Sequence, residues 1–299
     1  MRESSRSVKL CPADRVNPLK YAYMGARSRF IILFHWLAGR RNGVSAGELL
    51  RHLRKKPNLA VGRSVVEEVG TEGDFYVFRL QGINTPVYYP REYDLHSFCI
   101  CNCASFVPDD WHFYEVPETR IAAGDTVLDC GAAEGVFSLV AASRCEKVYA
   151  VEPLPRFIAA LEKTFEEVDN VRVLPFALTD RAGEVAIVDL GFASSIVPEG
   201  NEGSTKVKAT TIDELFFERG IGIDFIKADL EGHEIEVLKG AERTIRENTP
   251  KIAITTYHCK EHAEAISRFL SSIDSGYRFR TKGINEFGTP FMLHAWVDL

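Results

Sequence analysis

The 299-residue sequence has no apolar run long enough to cross a bilayer and no regular spacing of cysteines. Its most apolar stretch, residues 30–38, has nine residues, whereas a membrane-spanning helix needs about 20. The first residues have no apolar segment of the kind found in signal peptides. The seven cysteines are odd in number and form no disulfide framework, which indicates reduced thiols. These absences predict a cytoplasmic protein without a transmembrane segment.

The glycine fingerprint G-x-G-x-x-G is also missing from the chain, which argues against a nicotinamide dehydrogenase. A different small-residue turn is present over residues 131–135, Gly-Ala-Ala-Glu-Gly, between an apolar strand pattern and a helical pattern. Its small residues let the backbone approach a ligand closely, and the helix behind it presents free N–H groups. We therefore predict that Gly131, Ala132, Ala133 and Gly135 form a nucleotide-binding loop.

Glu152 makes this loop more informative. It ends the next predicted strand, 21 residues after Gly131, and Pro153 follows it. An acidic side chain at the tip of the second strand can accept hydrogen bonds from both ribose hydroxyls of a nucleoside. Dinucleotide enzymes and enzymes that use S-adenosylmethionine (SAM) share this arrangement. A solvated strand end is the alternative.

From residue 125 onwards, strand and helix patterns alternate. This alternation predicts an α/β fold of the Rossmann-like type, with a mostly parallel seven-stranded sheet and helices on both faces. We predict a basic helical extension over 1–63, a β-rich lead-in over 64–116 and a ligand-binding domain over 117–299. The predicted strands are 126–131, 147–152, 171–176, 223–228, 251–256, 276–281 and 291–297, and the predicted helices are 135–145, 155–168, 211–219, 233–247 and 260–273.

Charge is distributed unevenly between the extension and the rest of the chain. Residues 1–63 carry 14 Lys/Arg and 3 Asp/Glu, a balance of +11, and the other 236 residues carry 22 and 39, a balance of −17. The basic segment either docks on the acidic body, its own or that of a second subunit, or attracts an anionic partner. Residues 30–38 within it are either a buried helix or an interfacial helix flanked by arginines.

The lead-in has two features that allow two interpretations each. Cys99, Cys101 and Cys103 alternate, so on a strand they would share one face; a metal site is the alternative, although zinc ligands are usually spaced C-x2-C or wider. The aromatic run 111–115 either lines a pocket or belongs to the core. Strands are predicted over 74–80 and 85–89, and 95–106 is either a third strand or a helix.

Polar side chains follow several of the predicted strands, where ligands of parallel sheets bind. Asp229, Glu231, His233 and Glu234 lie within six residues after the strand 223–228, and His258 follows the strand 251–256. Their proximity in sequence makes them candidates for catalysis. His258 and His262 are four residues apart and could bind a metal, but no third ligand is evident in the sequence.

The segment from Trp111 to about His258 resembles the FkbM family of SAM-dependent methyltransferases. The string K-x-D-x-E-G-x-E over residues 227–234, followed by L-x-G-A over 238–241, is distinctive for that family. The resemblance also includes Val151-Glu152-Pro153 and residues 175–180. It does not extend to residues 1–100, and Ala133 stands where the family usually carries Asn, which removes one polar contact to the cofactor.

The resemblance implies the class I methyltransferase fold, SAM as cofactor and O-methylation of a sugar or natural-product hydroxyl. A divalent metal is not indicated, and no metal ligands are assigned. Asp129 and Gly131 would shape the methionine pocket, and Glu152 would hold the ribose. Ala177 and Leu178, with Asp180, would line the adenine. Asp229 would lie near the methionine amine or the transferred methyl group.

An alcohol must lose its proton during methylation, so a base or a metal near the methyl group is expected. His258 or His233 is the predicted base, with Asp229 orienting the acceptor or the cofactor amine. A metal held by Asp229, Glu231 and a histidine is the rival arrangement.

Two other functions remain open from the sequence. A nucleic-acid methyltransferase could use the basic extension, but the body is acidic and the chain lacks the Asn/Asp-Pro-Pro-aromatic string of amino-group methylases. Nucleic acid is therefore not the expected partner. A non-catalytic SAM- or nucleotide-binding protein is the second alternative. A homo-oligomer formed through the N-terminal extension is compatible with its charge.

Overall fold

The computed structural model describes residues 18–298, and side chains from residue 25 to 298. Residues 1–17 of the predicted basic extension, and with them the start of the chain, lie outside the described residues. The described chain begins with helices and a three-stranded antiparallel sheet of order β1-β2-β3. Their bounds are α1 (Pro18–Leu37), α2 (Ala46–Arg54), α3 (Asn58–Val65), β1 (Val66–Glu72), β2 (Phe75–Leu80), β3 (Val87–Pro90), α4 (Leu95–Cys101) and α5 (Cys103–Phe106).

After a 3-10 turn at Pro117–Thr119, strands and helices alternate as the sequence predicts, except that five strands follow one another over residues 171–210. The strands are β4 (Thr126–Cys130), β5 (Lys147–Val151), β6 (Val171–Leu174), β7 (Ala177–Leu178), β8 (Gly183–Val188), β9 (Ser195–Val197), β10 (Ser204–Thr210), β11 (Phe225–Ala228), β12 (Lys251–Thr255), β13 (Tyr277–Lys282) and β14 (Met292–Val297). The helices are α6 (Val136–Ala142), α7 (Pro155–Thr164), α8 (Ile212–Leu215), α9 (Glu234–Lys239), α10 (Glu242–Asn248) and α11 (His262–Ile273).

The main sheet has seven strands in the order β13-β14-β12-β11-β4-β5-β6. All neighbours are parallel except β14, which runs antiparallel to both β12 and β13. Successive residues of each strand face opposite sides. Leu128 and Ile226 therefore pack with the helices α8–α11 on one face, and Val127 and Phe225 pack with α6 on the other. The prediction of a mostly parallel sheet with helices on both faces is confirmed.

A smaller sheet of order β7-β10-β8-β9 lies beside β6. The predicted strand 171–176 ends at Leu174, and the following residues Ala177–Leu178 pair with β10 instead. This change of sheet carries the chain past the carboxyl edge of β5. It positions residues 176–178, and the loop between β8 and β9, around the space beyond Glu152.

The structure decides between the two interpretations of residues 95–106 and divides the predicted helix 233–247. Residues 95–106 form the helices α4 and α5, so the three cysteines do not share a strand face; Cys99 and Cys103 are buried. The predicted helix 233–247 is two helices that meet at Gly240. A Cβ atom there would lie 2.2 Å from the carbonyl oxygen of Thr179, so close backbone packing accompanies the break.

The helices α1 and α2 pack on the body through a small apolar cluster. Ile32, Val44 and Leu49 of this region are buried with Trp111 and Ile284. A capping box between Ser45 and Glu48 begins α2. Within residues 18–298, no helix has both the length and the apolar character required to cross a membrane.

A buried ion pair joins the two central strands. The Lys227 Nζ of β11 lies 2.9 Å from Oδ1 of Asp129 on β4, and the two side chains are 5% and 0% exposed. Lys227 also donates to the carbonyl oxygen of Gly131 at 2.7 Å, and Ser138 donates to the other oxygen of Asp129. Burial opposes the charge of Lys227, but Asp129 and Asp229 outweigh it and raise its pKa above the ordinary value.

Replacing Lys227 is expected to destabilise the fold. Lys227→Met leaves the Asp129 carboxylate buried without its counter-charge, which typically lowers the free energy of unfolding by about 3–5 kcal/mol. The control is Lys206→Met, which removes an exposed ion pair with Glu199 and should leave stability nearly unchanged. Urea unfolding measures both. Similar small losses in the two variants would contradict a stabilising role for the buried pair.

Candidate functional site

The carboxyl ends of the central strands bring the sequence-predicted residues to one edge of the sheet. Asp129 lies near the end of β4, Glu152 directly follows β5, and Asp229 directly follows β11. His258 lies three residues after the end of β12. Because β4, β5, β11 and β12 are adjacent and parallel, their ends form a continuous rim around the loop 131–135.

The loop 131–135 is held close to the neighbouring strand end by backbone geometry. Gly131 has φ +79°, and a Cβ atom there would lie 2.4 Å from the carbonyl oxygen of Asp229. Ala133 also has a positive φ, 44°, and its N–H donates to Glu152 Oε2 at 3.0 Å. Gly135, with φ +77°, precedes α6 and packs against Leu161. The loop is therefore tied to both Glu152 and Asp229.

Glu152 is a buried carboxylate at the strand tip, only 4% exposed. Besides Ala133, the N–H of Leu154 donates to it at 2.9 Å. Burial raises its pKa to about 7 despite these two hydrogen bonds. Each carboxylate oxygen can accept a further hydrogen bond, so the group can still bind hydroxyl donors from a ligand.

A first cavity opens beside Glu152, with a volume of about 670 Å³ including its mouth. Gly131, Ala133, Glu152, Pro153, Ala177 and Leu178, all predicted to bind cofactor, line it. Its other walls include aromatic and aliphatic side chains from three segments of the chain: Phe157, Phe176, Ile187, Phe192 and Ile196.

Four of the predicted cofactor residues lie outside this first cavity. Ala132 is buried and lines a second cavity, and Gly135 lines neither of the two. Asp180 is exposed and is 3.8 Å from Arg181. The carboxylate of Asp129 is bound by Lys227 and Ser138. In the structure it therefore stabilises the positions of the strands and the loop.

The second cavity adjoins the first and has a volume of about 580 Å³ including its mouth. The two share Gly131, Ala133, Phe192, Asp229 and Glu231 in their walls. The second cavity is bounded by the lead-in as well as by the sheet, and its polar walls are His112, Tyr114, Glu134, Lys227 and Tyr257, with Cys101 and Ser105 from α4 and α5. The loop 131–134 therefore separates two connected spaces.

Asp229 is the most heavily hydrogen-bonded side chain where the cavities meet. Tyr114 donates to its Oδ2 at 2.8 Å, and His112 Nε2 lies 3.1 Å from the same oxygen. The Thr255 hydroxyl lies 3.1 Å from Oδ1. Burial by itself would raise the pKa of Asp229, but the hydrogen bond with His112 and the nearby His258 and Lys227 hold it well below its usual range. Asp229 is therefore ionised at neutral pH.

His258 is surrounded by carboxylates. Its Nε2 is 3.6 Å from Asp229 and 3.8 Å from Glu234, and its Nδ1 is 3.5 Å from Glu231. Burial lowers the pKa of His258, but the neighbouring acidic groups reverse this effect and raise it above the ordinary value. Burial raises the pKa of Glu231 to about 6. The cluster therefore stabilises a proton on the imidazole.

Two further histidines, His233 and His262, lie near this edge. His233 Nε2 lies 3.1 Å from the Thr179 hydroxyl in the wall of the first cavity, and burial lowers its pKa. His262 Nδ1 lies 3.4 Å from Glu234. Both His258 and His262 thus lie near Glu234, but His262 is not part of the group whose potential ligand atoms converge. Asp229, Glu231 and His258 instead place one potential ligand atom each within 4.8 Å of one another, as the rival metal arrangement requires.

Several residues of the site were not identified from the sequence. His112 and Tyr114 lie in the aromatic run 111–115, and both contact Asp229. Trp111 of the same run packs in the core. The pocket and the core interpretations of this run are therefore each correct for some of its residues. Glu134 lines the second cavity, and burial raises its pKa to about 7. In the sequence, its position inside the small-residue loop 131–135 is the feature that could have indicated a role in the site.

Comparisons with known proteins find relatives that are named as methyltransferases. The hexuronic acid methyltransferase AglP of Haloferax volcanii is 25% identical over 150 residues, 49% of this chain and 62% of that protein. The match thus spans less than two thirds of the relative. Methyltransferase FkbM of Methylobacillus flagellatus is 22% identical with a TM-score of 0.49, covering 62% of this chain and 46% of that chain. Fibrillarin of Aeropyrum pernix is 14% identical with a TM-score of 0.40, covering 78% and 99%.

The family comparison gives the clearest assignment. The methyltransferase FkbM domain model matches residues 129–279, which is half of the chain. The match begins at β4, contains the loop 131–135 and the segment 227–234, and ends in β13. The resemblance seen in the sequence is thereby confirmed, and the chain belongs to the FkbM methyltransferase family.

Proposed function

We propose that the protein transfers the methyl group of SAM to a hydroxyl group of a sugar or another small natural product. The observation that carries this proposal is the meeting of two cavities at Asp229 and Glu231, one beside a buried strand-tip carboxylate and one lined by polar side chains. SAM supplies an electrophilic methyl group on a sulfonium.

The first cavity fits the adenosine part of such a cofactor. Glu152 at the tip of β5 would accept hydrogen bonds from the ribose hydroxyls, and it is pre-oriented by the N–H groups of Ala133 and Leu154. Phe176, Ala177 and Leu178 provide an apolar wall on which an adenine could lie.

The space where the cavities meet fits the cationic part of SAM, its sulfonium and ammonium groups. Asp229 and Glu231 line both cavities and Glu134 lines the second, whereas Lys227 is occupied by Asp129 and Gly131. Opposite charges at short range are favourable, and more so where water is excluded. A ligand with a sulfonium and an ammonium group would therefore be bound by the residues that line this space.

His258 is the proposed base. The acceptor oxygen would attack the methyl carbon while the carbon–sulfur bond breaks, and the hydroxyl proton would pass to the imidazole. Asp229 and Glu231 stabilise the protonated ring. His233 is less suited, because burial disfavours its protonated form. Asp229 would orient the acceptor hydroxyl or the cofactor amine.

The acceptor side favours a hydroxyl over a carboxylate as the methylated group. A carboxylate entering the space between Asp229, Glu231 and Glu134 would face like charges. The relative named for hexuronic acid suggests a sugar acceptor, since such a sugar offers hydroxyl groups as well as an acid group. We therefore propose a sugar hydroxyl as the reacting group, with any acid group of the substrate held away from these carboxylates.

Glu152→Ala is expected to weaken SAM binding by about 1.5–3 kcal/mol, the range for a hydrogen bond to a charged group. Titration calorimetry measures the affinity, and thermal unfolding checks that the variant folds. Asp180→Ala is the matched control, because it removes an exposed carboxylate just beyond β7 and should not change the affinity. Unchanged binding by the Glu152 variant would remove this residue from the site.

His258→Ala is expected to lower turnover by about 10²–10⁴-fold at saturating cofactor, with near-normal affinity for SAM. His233→Ala should retain most of the activity. Wild-type turnover should rise with pH through a value above 6.5, the ordinary histidine value, because the protonated imidazole cannot accept a proton and its pKa is raised.

The chelator EDTA distinguishes the base from a metal. If EDTA abolishes turnover and an added divalent cation restores it, while both histidine variants remain active, the metal arrangement replaces the assigned base. With His258 as base, EDTA has no effect on the wild-type enzyme.

The acceptor is tested with a matched pair of sugars, p-nitrophenyl β-glucoside and p-nitrophenyl β-glucuronide, which differ in the acid group. Formation of S-adenosylhomocysteine is measured, and the methylated product is treated with alkali, which cleaves a methyl ester but not a methyl ether. The proposal predicts an alkali-stable product with at least one of the two sugars. An alkali-labile product would assign the reaction to the carboxylate instead, and binding without turnover of either would contradict sugar methylation.

A further inference from the structure

A stripe of apolar side chains faces solvent along α1. Phe30, Phe34 and Leu37 are 72%, 61% and 68% exposed. Their spacing of four and three residues places them on one face of the helix. This is unusual for side chains of this size, which a soluble domain normally buries.

Phe287, 62% exposed, extends the stripe from a second segment. The loop between β13 and β14 that carries it is attached to α1: His35 Nε2 lies 3.1 Å from the carbonyl oxygen of Glu286, and Arg27 lies 3.7 Å from the Glu286 carboxylate. Among residues 25–298, six large apolar side chains are strongly exposed, and four of them are in these two segments. We call Phe30, Phe34, Leu37 and Phe287 the apolar patch.

The helix cannot turn this patch inwards, because its other face is already packed. Ile32 is buried with Val44, Leu49, Trp111 and Ile284, and the Trp36 indole donates to the carbonyl oxygen of Val44 at 2.8 Å. These contacts fix the rotation of α1 on the body. The apolar patch therefore stays on the surface in this conformation.

Arginines flank the apolar patch. Arg27, Arg40 and Arg41 are exposed, and the Arg41 guanidinium lies 4.4 Å from the centre of the Trp36 ring. Residues 25–65 contain nine Lys/Arg and one Glu, a balance of +8. An apolar face bordered by cations, with aromatic residues among them, is the pattern of a helix that lies in a membrane interface.

The charge around the apolar patch also indicates whether a membrane or a second copy of the chain binds there. A symmetric dimer would place this patch against its own copy, so Arg27, Arg40 and Arg41 of both copies would gather around one interface and repel. An anionic lipid surface instead provides phosphates for the arginines and an acyl boundary for the phenylalanines. We propose that the apolar patch and its three arginines dock the protein peripherally on an anionic bilayer surface.

Vesicle flotation with the full-length protein tests this docking. Vesicles of phosphatidylcholine alone are compared with vesicles that also contain phosphatidylglycerol, at low and at high salt. The wild-type protein should float with the anionic vesicles and do so less at high salt. The double variants Phe30→Ser/Phe34→Ser and Arg40→Glu/Arg41→Glu should each bind at least about tenfold more weakly.

The controls remove equally exposed groups elsewhere. Leu190→Ser changes a leucine that is 66% exposed on another loop, and Arg181→Glu/Arg268→Glu changes two arginines with side chains 87% and 71% exposed. Both should float like the wild type. Light scattering gives the mass of each variant. Absence of flotation, equal flotation by all variants, or a dimer that Phe30→Ser/Phe34→Ser dissociates without any vesicle binding would each overturn the proposal.

Discussion

The ammonium group of Lys227 is the point on which the two cavities depend. It lies in the central strand β11, within 2.9 Å of Asp129 on the neighbouring strand and 2.7 Å of the Gly131 carbonyl oxygen. The rings of Tyr114 and Phe137 lie near it, with centres 5.2 and 5.9 Å away. One buried charge thus connects two strands, the loop that separates the cavities and the aromatic wall of the second cavity. Its removal would leave Asp129 unpaired and the loop without a tether.

The carboxyl groups around this centre form an electrostatic environment that suits a cation. Burial raises the pKa of Glu134 and Glu152 to about 7 and that of Glu231 to about 6. The ionised form of each carboxyl group is therefore destabilised. A cationic ligand would favour the ionised forms and lower these pKa values. Binding at neutral pH would then release protons, as linkage between charge and binding requires. SAM, the cofactor proposed here, is such a cationic ligand.

Much of the fold was predictable because its pattern is local. Alternating strand and helix periods identified the parallel sheet, and acidic residues just after strands identified Glu152 and Asp229. The antiparallel β1 and the change of sheet after Leu174 were not predicted, since they depend on pairing with distant segments. Residues 95–106 form helices despite their alternating cysteines, so alternation alone did not distinguish a strand from a buried helix.

Less of the site was predictable, because its side chains converge from segments far apart in sequence. His112 and Tyr114 contact Asp229 across more than a hundred residues, and no sequence spacing shows this. Asp129 was expected to shape a ligand pocket, but the structure engages its carboxylate with Lys227 and Ser138. The position of Asp129 in the motif indicated that it belongs to the site. Its ion pair with Lys227 could be found only from the three-dimensional structure.

A crystal structure of the protein with S-adenosylhomocysteine tests the central claim most directly, namely that one ligand spans the two cavities around the loop 131–135. The account predicts that the ribose hydroxyls lie within hydrogen-bond distance of Glu152. It also predicts that the sulfur lies where the cavities meet, facing Asp229 and His258. A nucleoside bound away from Glu152, or a sulfur directed away from Asp229 and His258, would contradict it.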